Sequence, residues 1–282
     1  MNLPTTVDYP VLAVGDLHGR AAWLRDLLLR LDRLPEWPAA RLVFLGDFCD
    51  RCDAVRDAIE IVLGLVRDKP GTTAVMGNHD LALVRAAGLD DRPPSAYWRQ
   101  RYGDAYDHAF TFRSYLGRPP TATRGQAWED ELAELKAAMP ETHRRFLAGL
   151  PWGVEAAGHL FLHAGLSREL DRSAAAQYEC VRQKRWSRAT AEPKFGTPLD
   201  RWFHDEYPAW LGADRRASRN PLPFPGKVQV VGHEYTKRPD ADAVRIRLDT
   251  TGGSTEPLTA CLLRTPTAAP IFIASTDPIS DR

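Results

Sequence analysis

VLAVGDLHG at residues 11–19, LVFLGDFCDR at 42–51 and TAVMGNHD at 73–80 share one pattern. A short apolar run ends in a glycine, and the glycine is followed by a carboxylate, an imidazole or an amide. Behind each string comes a segment with helical spacing of its apolar residues: 21–31, 54–66, and the stretch after His79. Short apolar runs feeding such segments predict βαβ units, whose buried parallel strands open their carboxyl ends on one edge. Open α/β sheets bind their ligands at that edge. Asp16, His18, Asp47, Asn78 and His79 are therefore expected to converge in space. A single Gly-Asp after a strand makes an ordinary turn; three in the same strand-to-helix context point to chemistry.

Two more runs end in the same way. LFLHAGL at 160–166 delivers His163, and VQVVGH at 228–233 delivers His233. Mixed carboxylate oxygen and imidazole nitrogen is a donor set for divalent ions, with an Asp able to bridge two of them, and none of these strings requires a thiolate.

With these five strings in this order, the chain resembles the calcineurin-like metallophosphoesterases, most closely the phosphoprotein phosphatase branch with its bacterial members. The family pattern is GDxHG, GDxxDRG, GNH followed by Glu or Asp, a His in HAG or HGG, and a final GH. The resemblance spans roughly residues 11–263. It implies an α/β sandwich of two β-sheets flanked by helices, and a helical insertion at about 90–150 within one domain over 1–282. It implies that Asp16 and His18 hold a first metal, that Asp47 bridges, and that Asn78, His163 and His233 complete a second. It makes His79 the general acid paired with Asp50, and Arg51 the group that grips the phosphoryl oxygens. The cofactors would be two divalent ions, manganese by expectation, with iron, zinc or cobalt also acceptable to such ligands.

The chemistry suits those roles. Paired cations acidify water and clamp equatorial phosphoryl oxygens. A carboxylate opposes loss of the proton from a histidine beside a dication and fixes its ring. A guanidinium fork matches two phosphate oxygens as a lysine would not.

The expected activity is hydrolysis of phosphate monoesters of the serine/threonine protein phosphatase type. A dinucleoside polyphosphate hydrolase is the alternative, because GNHD followed by Leu81 and Ala82 also resembles bacterial symmetrical diadenosine tetraphosphatases. Those enzymes typically lack the Asp of GDxxDR, which this chain keeps as Asp50. A phosphate-binding module without turnover is a third reading. Cys52 stands where the family usually has Gly, and Glu234 where many members have Thr. The first departure creates a Cys-x-x-Cys, Cys49 to Cys52, read as reduced, largely structural thiols rather than a redox switch.

Composition agrees with a soluble enzyme. The 282 residues are 44% apolar, enough for a large core, and Lys plus Arg equals Asp plus Glu at 37 each, so no basic excess suggests nucleic acid. The partner is expected to be a phosphorylated substrate, a phosphoprotein or a nucleotide, with no membrane; the oligomeric state is left open. A cytoplasmic location is expected from the lack of a secretory signal, of any long apolar segment and of a disulfide framework.

Between GNHD and HAG, Arg92, Arg99, Arg101, Arg113, Arg118 and Arg124 interleave with Tyr97, Trp98, Tyr102, Tyr106, Phe110, Phe112 and Tyr115. This reads as a helical subdomain with an aromatic core, whose basic face either meets solvent or recognises substrate. Residues 140–151 predict a capped helix in which His143 is a surface residue. Around Trp186 the resemblance implies a second phosphate-gripping arginine, for which Arg185 or Arg188 would serve, unless this basic cluster is a solvated helix face; residues 192–225 read as a loop with short helices. His108, His159 and His204 are assigned surface or core roles. RLDTTGGSTEPLTACLLR, residues 247–264, predicts a closing hairpin with positive φ at Gly252 and Gly253, and carries no assigned chemistry.

Overall fold

The computed structural model describes residues 3–90, 92–212, 220–252 and 257–277. The chain begins with β1 (Val11–Val14), α1 (Ala21–Leu31), β2 (Arg41–Phe44), α2 (Val55–Asp68), β3 (Thr73–Ala74) and α3 (Asn78–Ala87). β1, β2 and β3 pair in parallel, as the βαβ pattern predicts. A helical insertion follows: α4 (Ala96–Ala105), α5 (Ala109–Leu116), α6 (Gly125–Ala138) and α7 (Glu141–Gly149).

The second half contributes β4 (Gly153–Glu155), β5 (His159–Leu162), α8 (Ala174–Arg182), α9 (Pro198–Trp202), β6 (Val228–Val231), β7 (Asp240–Ala241), β8 (Arg245–Arg247), β9 (Thr259–Leu263) and β10 (Ile271–Ala274). Two five-stranded mixed sheets result, ordered β10-β9-β1-β2-β3 and β4-β5-β6-β8-β7. This is the two-sheet sandwich that the resemblance implies.

Strand alternation explains the layers. Val11, Ala13, Val43 and Leu45 turn inward and meet Val154, Phe161, Val230 and Ile246 of the second sheet. Their neighbours Leu12, Val14, Leu42 and Phe44 turn outward onto Leu24, Leu27 and Leu31 of α1 and Ile59 and Val62 of α2. Both faces are buried, so the strands read as continuous apolar runs instead of alternating ones. Among the described residues no helix is long and apolar enough to cross a membrane.

The closing segment differs from expectation. β8 pairs with β6 and β7, whereas β9 pairs with β1 and β10. Residues 247–264 therefore do not form a hairpin; the chain crosses from one sheet to the other. Two β-prone runs around glycines specify strands but not which strand each will pair with. Gly252 has φ +38°, while Gly253 lies outside the described residues. The insertion arginines also divide. Arg92, Arg99, Arg113, Arg118 and Arg124 pair with carboxylates.

Candidate active site

Turns at the carboxyl ends of the strands carry unusual backbone. His18, Asp47, Asp50, Arg51 and His233 all have φ between +42° and +67°, a region non-glycine residues seldom visit. Lys184 is the one other such residue among those described. Strain gathered in this way marks functional sites, because surrounding structure must pay for it. The glycines of the motifs have a separate job. A Cβ at Gly77 would stand 2.1 Å from Asp47 Oδ1, and one at Gly232 would stand 2.0 Å from Asp16 Oδ1. These glycines leave room for carboxylates. At Cys52 the backbone is not left-handed, so the glycine usual in the family is not needed there.

Asp47 lies at the centre. Its Oδ2 is 3.5 Å from His18 Nε2, and its Oδ1 is 3.4 Å from His163 Nε2. Donor atoms of His18, Asp47 and His79 fall within 4.8 Å of one another, as do those of Asp16, Asp47 and His163. Asp47 thus belongs to two triads. His233 Nδ1 and His163 Nε2 lie 3.0 Å and 3.1 Å from Asn78 Oδ1. All six expected ligands come together.

The outer partners orient the imidazoles. His18 Nδ1–H donates to the Cys49 carbonyl at 2.8 Å, and His163 Nδ1–H to the Leu45 carbonyl at 2.7 Å. That tautomer turns the Nε2 lone pair inward, the arrangement that metal-ligating histidines adopt. Buried His18 Nε2 has no hydrogen-bond partner among the described residues. At His163, Nε2 faces the oxygens of Asn78 and Asp47, a position that a second proton fills without metal and that a cation would take in its place. Acceptors crowded in this way fit a cation.

Electrostatics agree. Burial, then Asp249 and Asp47, hold the Asp16 carboxyl well above its usual range. Burial also acts on Asp47, but His163, His79 and His18 outweigh it and hold that carboxyl well below its usual range. Burial and the Arg51 charge push His18 far down. At His163, burial opposes protonation, yet Asp47 and Asp16 raise the pKa to about 10. Buried carboxylates that must borrow a histidine proton are poised for a divalent ion.

Asp80 supports the central loop. It accepts the amides of Phe48 at 2.8 Å, Cys49 at 3.3 Å and Gly77 at 3.0 Å. The first turn of α3 donates the His79 N–H to Asp47 Oδ1 at 3.0 Å. Burial and Asp80 push the Cys49 thiol well up, the reverse of what a reactive thiolate needs.

Beside the expected ligands, His79 Nδ1 is 2.7 Å from Asp50 Oδ2, and Arg51 Nη2 is 3.3 Å from His79 Nε2. Arg51, His79, Asp16, Asp47, Asn78 and His233 line one cleft of about 320 Å³. Arg101, Tyr106, Tyr207 and Asp249 also line it.

Neither arginine considered around Trp186 is among the residues lining this cleft. Arg185 bonds Gln183, and Arg188 lies 4.7 Å over the Phe203 ring. Lys184 and Trp186 line a separate cavity with Trp152 and Arg85. Arg101 of α4 faces the cleft instead, 4.9 Å over the Tyr207 ring. Asp249 is a further addition, buried just beyond β8. The strand-end rule that found the other ligands applies to it as well. His143, expected at the surface, is fully buried between Tyr115 and Glu60. His108 and His159 are core residues, and His204 stacks on Tyr97 at 3.4 Å. Glu234 turns to the buried Arg245 at 3.3 Å.

None of the curated proteins matches the chain. A candidate diadenosine tetraphosphatase of solved structure is 19% identical, with TM-score 0.54, over 96% of this chain and 98% of its own. The cold-active protein-tyrosine phosphatase of a psychrophilic Shewanella is 18% identical, with TM-score 0.51, over 96% of this chain and 83% of its own. At these identities the likeness concerns the fold. The sequence profile of the Calcineurin-like phosphoesterase family matches residues 9–244, the span holding both triads and all five strand-end strings, and the chain belongs to that family.

Proposed function

We propose that the chain hydrolyses phosphate monoesters with water as the attacking group, in the manner of a serine/threonine protein phosphatase. The observation that carries this is that the two oxygens of Asp47 face His18 on one side and His163 on the other, with the His79–Asp50 pair alongside. Asp16, His18 and Asp47 would hold one divalent ion, and Asp47, Asn78, His163 and His233 the other. Bound there, such ions supply acidity to water and neutralise charge on phosphoryl oxygens. The acceptor-rich donor set fits them, since a phosphate dianion could not approach Asp16, Asp47 and Asp249 without cations between.

The chain's own groups do the rest. Arg51 holds phosphoryl oxygens through its planar fork. His79, held by Asp50, delivers a proton from Nε2 to the leaving oxygen. Arg101 contributes a second guanidinium to the same cleft; its Nε has no hydrogen-bond partner among the described residues.

That second cation favours one other reading, a dinucleoside polyphosphate hydrolase, because two arginines lining one cleft suit more than one phosphate. Manganese-supplemented turnover of phosphoserine, phosphothreonine and phosphotyrosine peptides against diadenosine tetraphosphate separates the two, with Asp47→Asn as control. Phosphate release from phosphoserine or phosphothreonine peptides, abolished in Asp47→Asn, is expected. Preferential cleavage of the dinucleotide would replace this reading with the second.

A further inference from the structure

Asp50 is held by the helical insertion as well as by its own loop. The residue is completely buried, with φ +67°. Oδ2 accepts His79 Nδ1–H, and Oδ1 accepts two hydroxyls, Tyr102 at 2.8 Å and Thr111 at 2.6 Å. Thr111 Oγ1 also lies 2.9 Å from the Asp50 amide. An amide only donates, so Thr111 accepts there and its single proton is left for Oδ1. Both hydroxyls can therefore donate to Oδ1 while Thr111 accepts the Asp50 amide.

These hydroxyls sit in an otherwise aromatic core. The Tyr102 ring is 6.2 Å from Trp128 and 5.4 Å from His108, and Phe112 stacks on Trp128 at 5.5 Å. Phenylalanine at 102 and valine at 111 would fill the same volume, so packing alone does not require either oxygen. Asp50 does. A buried carboxylate oxygen with no donor costs far more than a hydroxyl bond contributes, and the side chain would rotate to recover one. Rotation of Asp50 would release the His79 ring.

We propose that Tyr102 and Thr111 are positioning residues for proton delivery: by satisfying one oxygen of Asp50 they hold the other on His79, which makes the insertion a working part of the reaction centre. The inference rests on the phosphoesterase reading above. Partners of this outer kind carry about 10-fold to 100-fold in activity elsewhere. Loss of proton delivery hurts esters with basic leaving groups most, since a good leaving group departs without a proton.

The test compares Tyr102→Phe, Thr111→Val and the double variant with the parent chain, using an alkyl phosphate and p-nitrophenyl phosphate. The alkyl rate is expected to fall about tenfold further than the aryl rate, in kcat with KM kept, and Thr111→Ser is expected to restore it. Equal losses on both esters, or none, would overturn the proposal. A second readout is independent of turnover: the Nδ1 proton resonance of His79 in the zinc-loaded full chain, assigned with His79→Gln. Its upfield movement or loss in the variants supports the proposal, and an unmoved resonance rejects it. A parent chain that hydrolyses neither ester would remove the phosphoesterase reading while the resonance still decides the positioning. Thr111→Val alone, isosteric with the parent, serves if the double variant fails to fold.

Discussion

Gly232→Ala separates ligand geometry from fold stability. The added Cβ would stand 2.0 Å from Asp16 Oδ1, whereas ordinary contact begins near 3.4 Å. The carboxylate must therefore retreat by more than an ångström, and it would leave the His233 amide that it accepts at 3.1 Å. Metal–ligand distances tolerate only about 0.2 Å. The group that yields is the tip of a side chain, so the stability loss should stay within the about 1–3 kcal/mol of ordinary overpacking. Gly15→Ala adds the same methyl, 2.2 Å from the Leu248 carbonyl oxygen, where backbone must move. That variant should lose more than about 3 kcal/mol, the upper end for overpacking. Metal bound per chain after manganese loading, measured by mass spectrometry beside thermal unfolding, reads both effects. Gly232→Ala is expected to keep most of its Tm and to weaken metal binding by more than about 100-fold, beyond the loss of an outer partner. Unaltered stoichiometry and affinity in Gly232→Ala would refute the placement of Asp16 as a ligand.

Asp47→Asn removes the oxygen charge common to both triads and should abolish turnover together with metal retention; a variant that keeps both ions excludes the shared role. Arg101→Met keeps the stem over Tyr207 while deleting the charge, and should raise KM by about tenfold, the equivalent of one charge-assisted hydrogen bond, with kcat little changed. An unchanged KM would take Arg101 out of substrate binding. Burial, and secondarily Lys227, push His159 down to about 4. The unfolded chain, with its histidine near about 6.5, then binds a proton that the folded chain refuses between those values, so stability rises with pH across that window. Tm should fall on acidification through it, less steeply in His159→Gln; an identical slope would clear His159.

Much of the site was legible because its determinants are local. Four-residue apolar runs and the donors that follow them placed Asp16, Asp47, Asn78, His163 and His233 at strand ends. Asp249 obeys the same rule after β8, but a neighbouring glycine-rich turn suggested only a hairpin. Which sheet β9 joins depends on β1, a strand more than 200 residues away, and no local pattern carries that. The insertion shows the same division. Aromatic spacing announces helices with a buried face, yet only packing decides that Tyr102 and Thr111 meet Asp50, that Arg101 looks into the cleft while five other arginines find carboxylates, and that His143 is buried. Residue type and period determine an element and its apolar face; the partner of that face is decided by contacts between distant segments, which exist only once the chain has closed on itself.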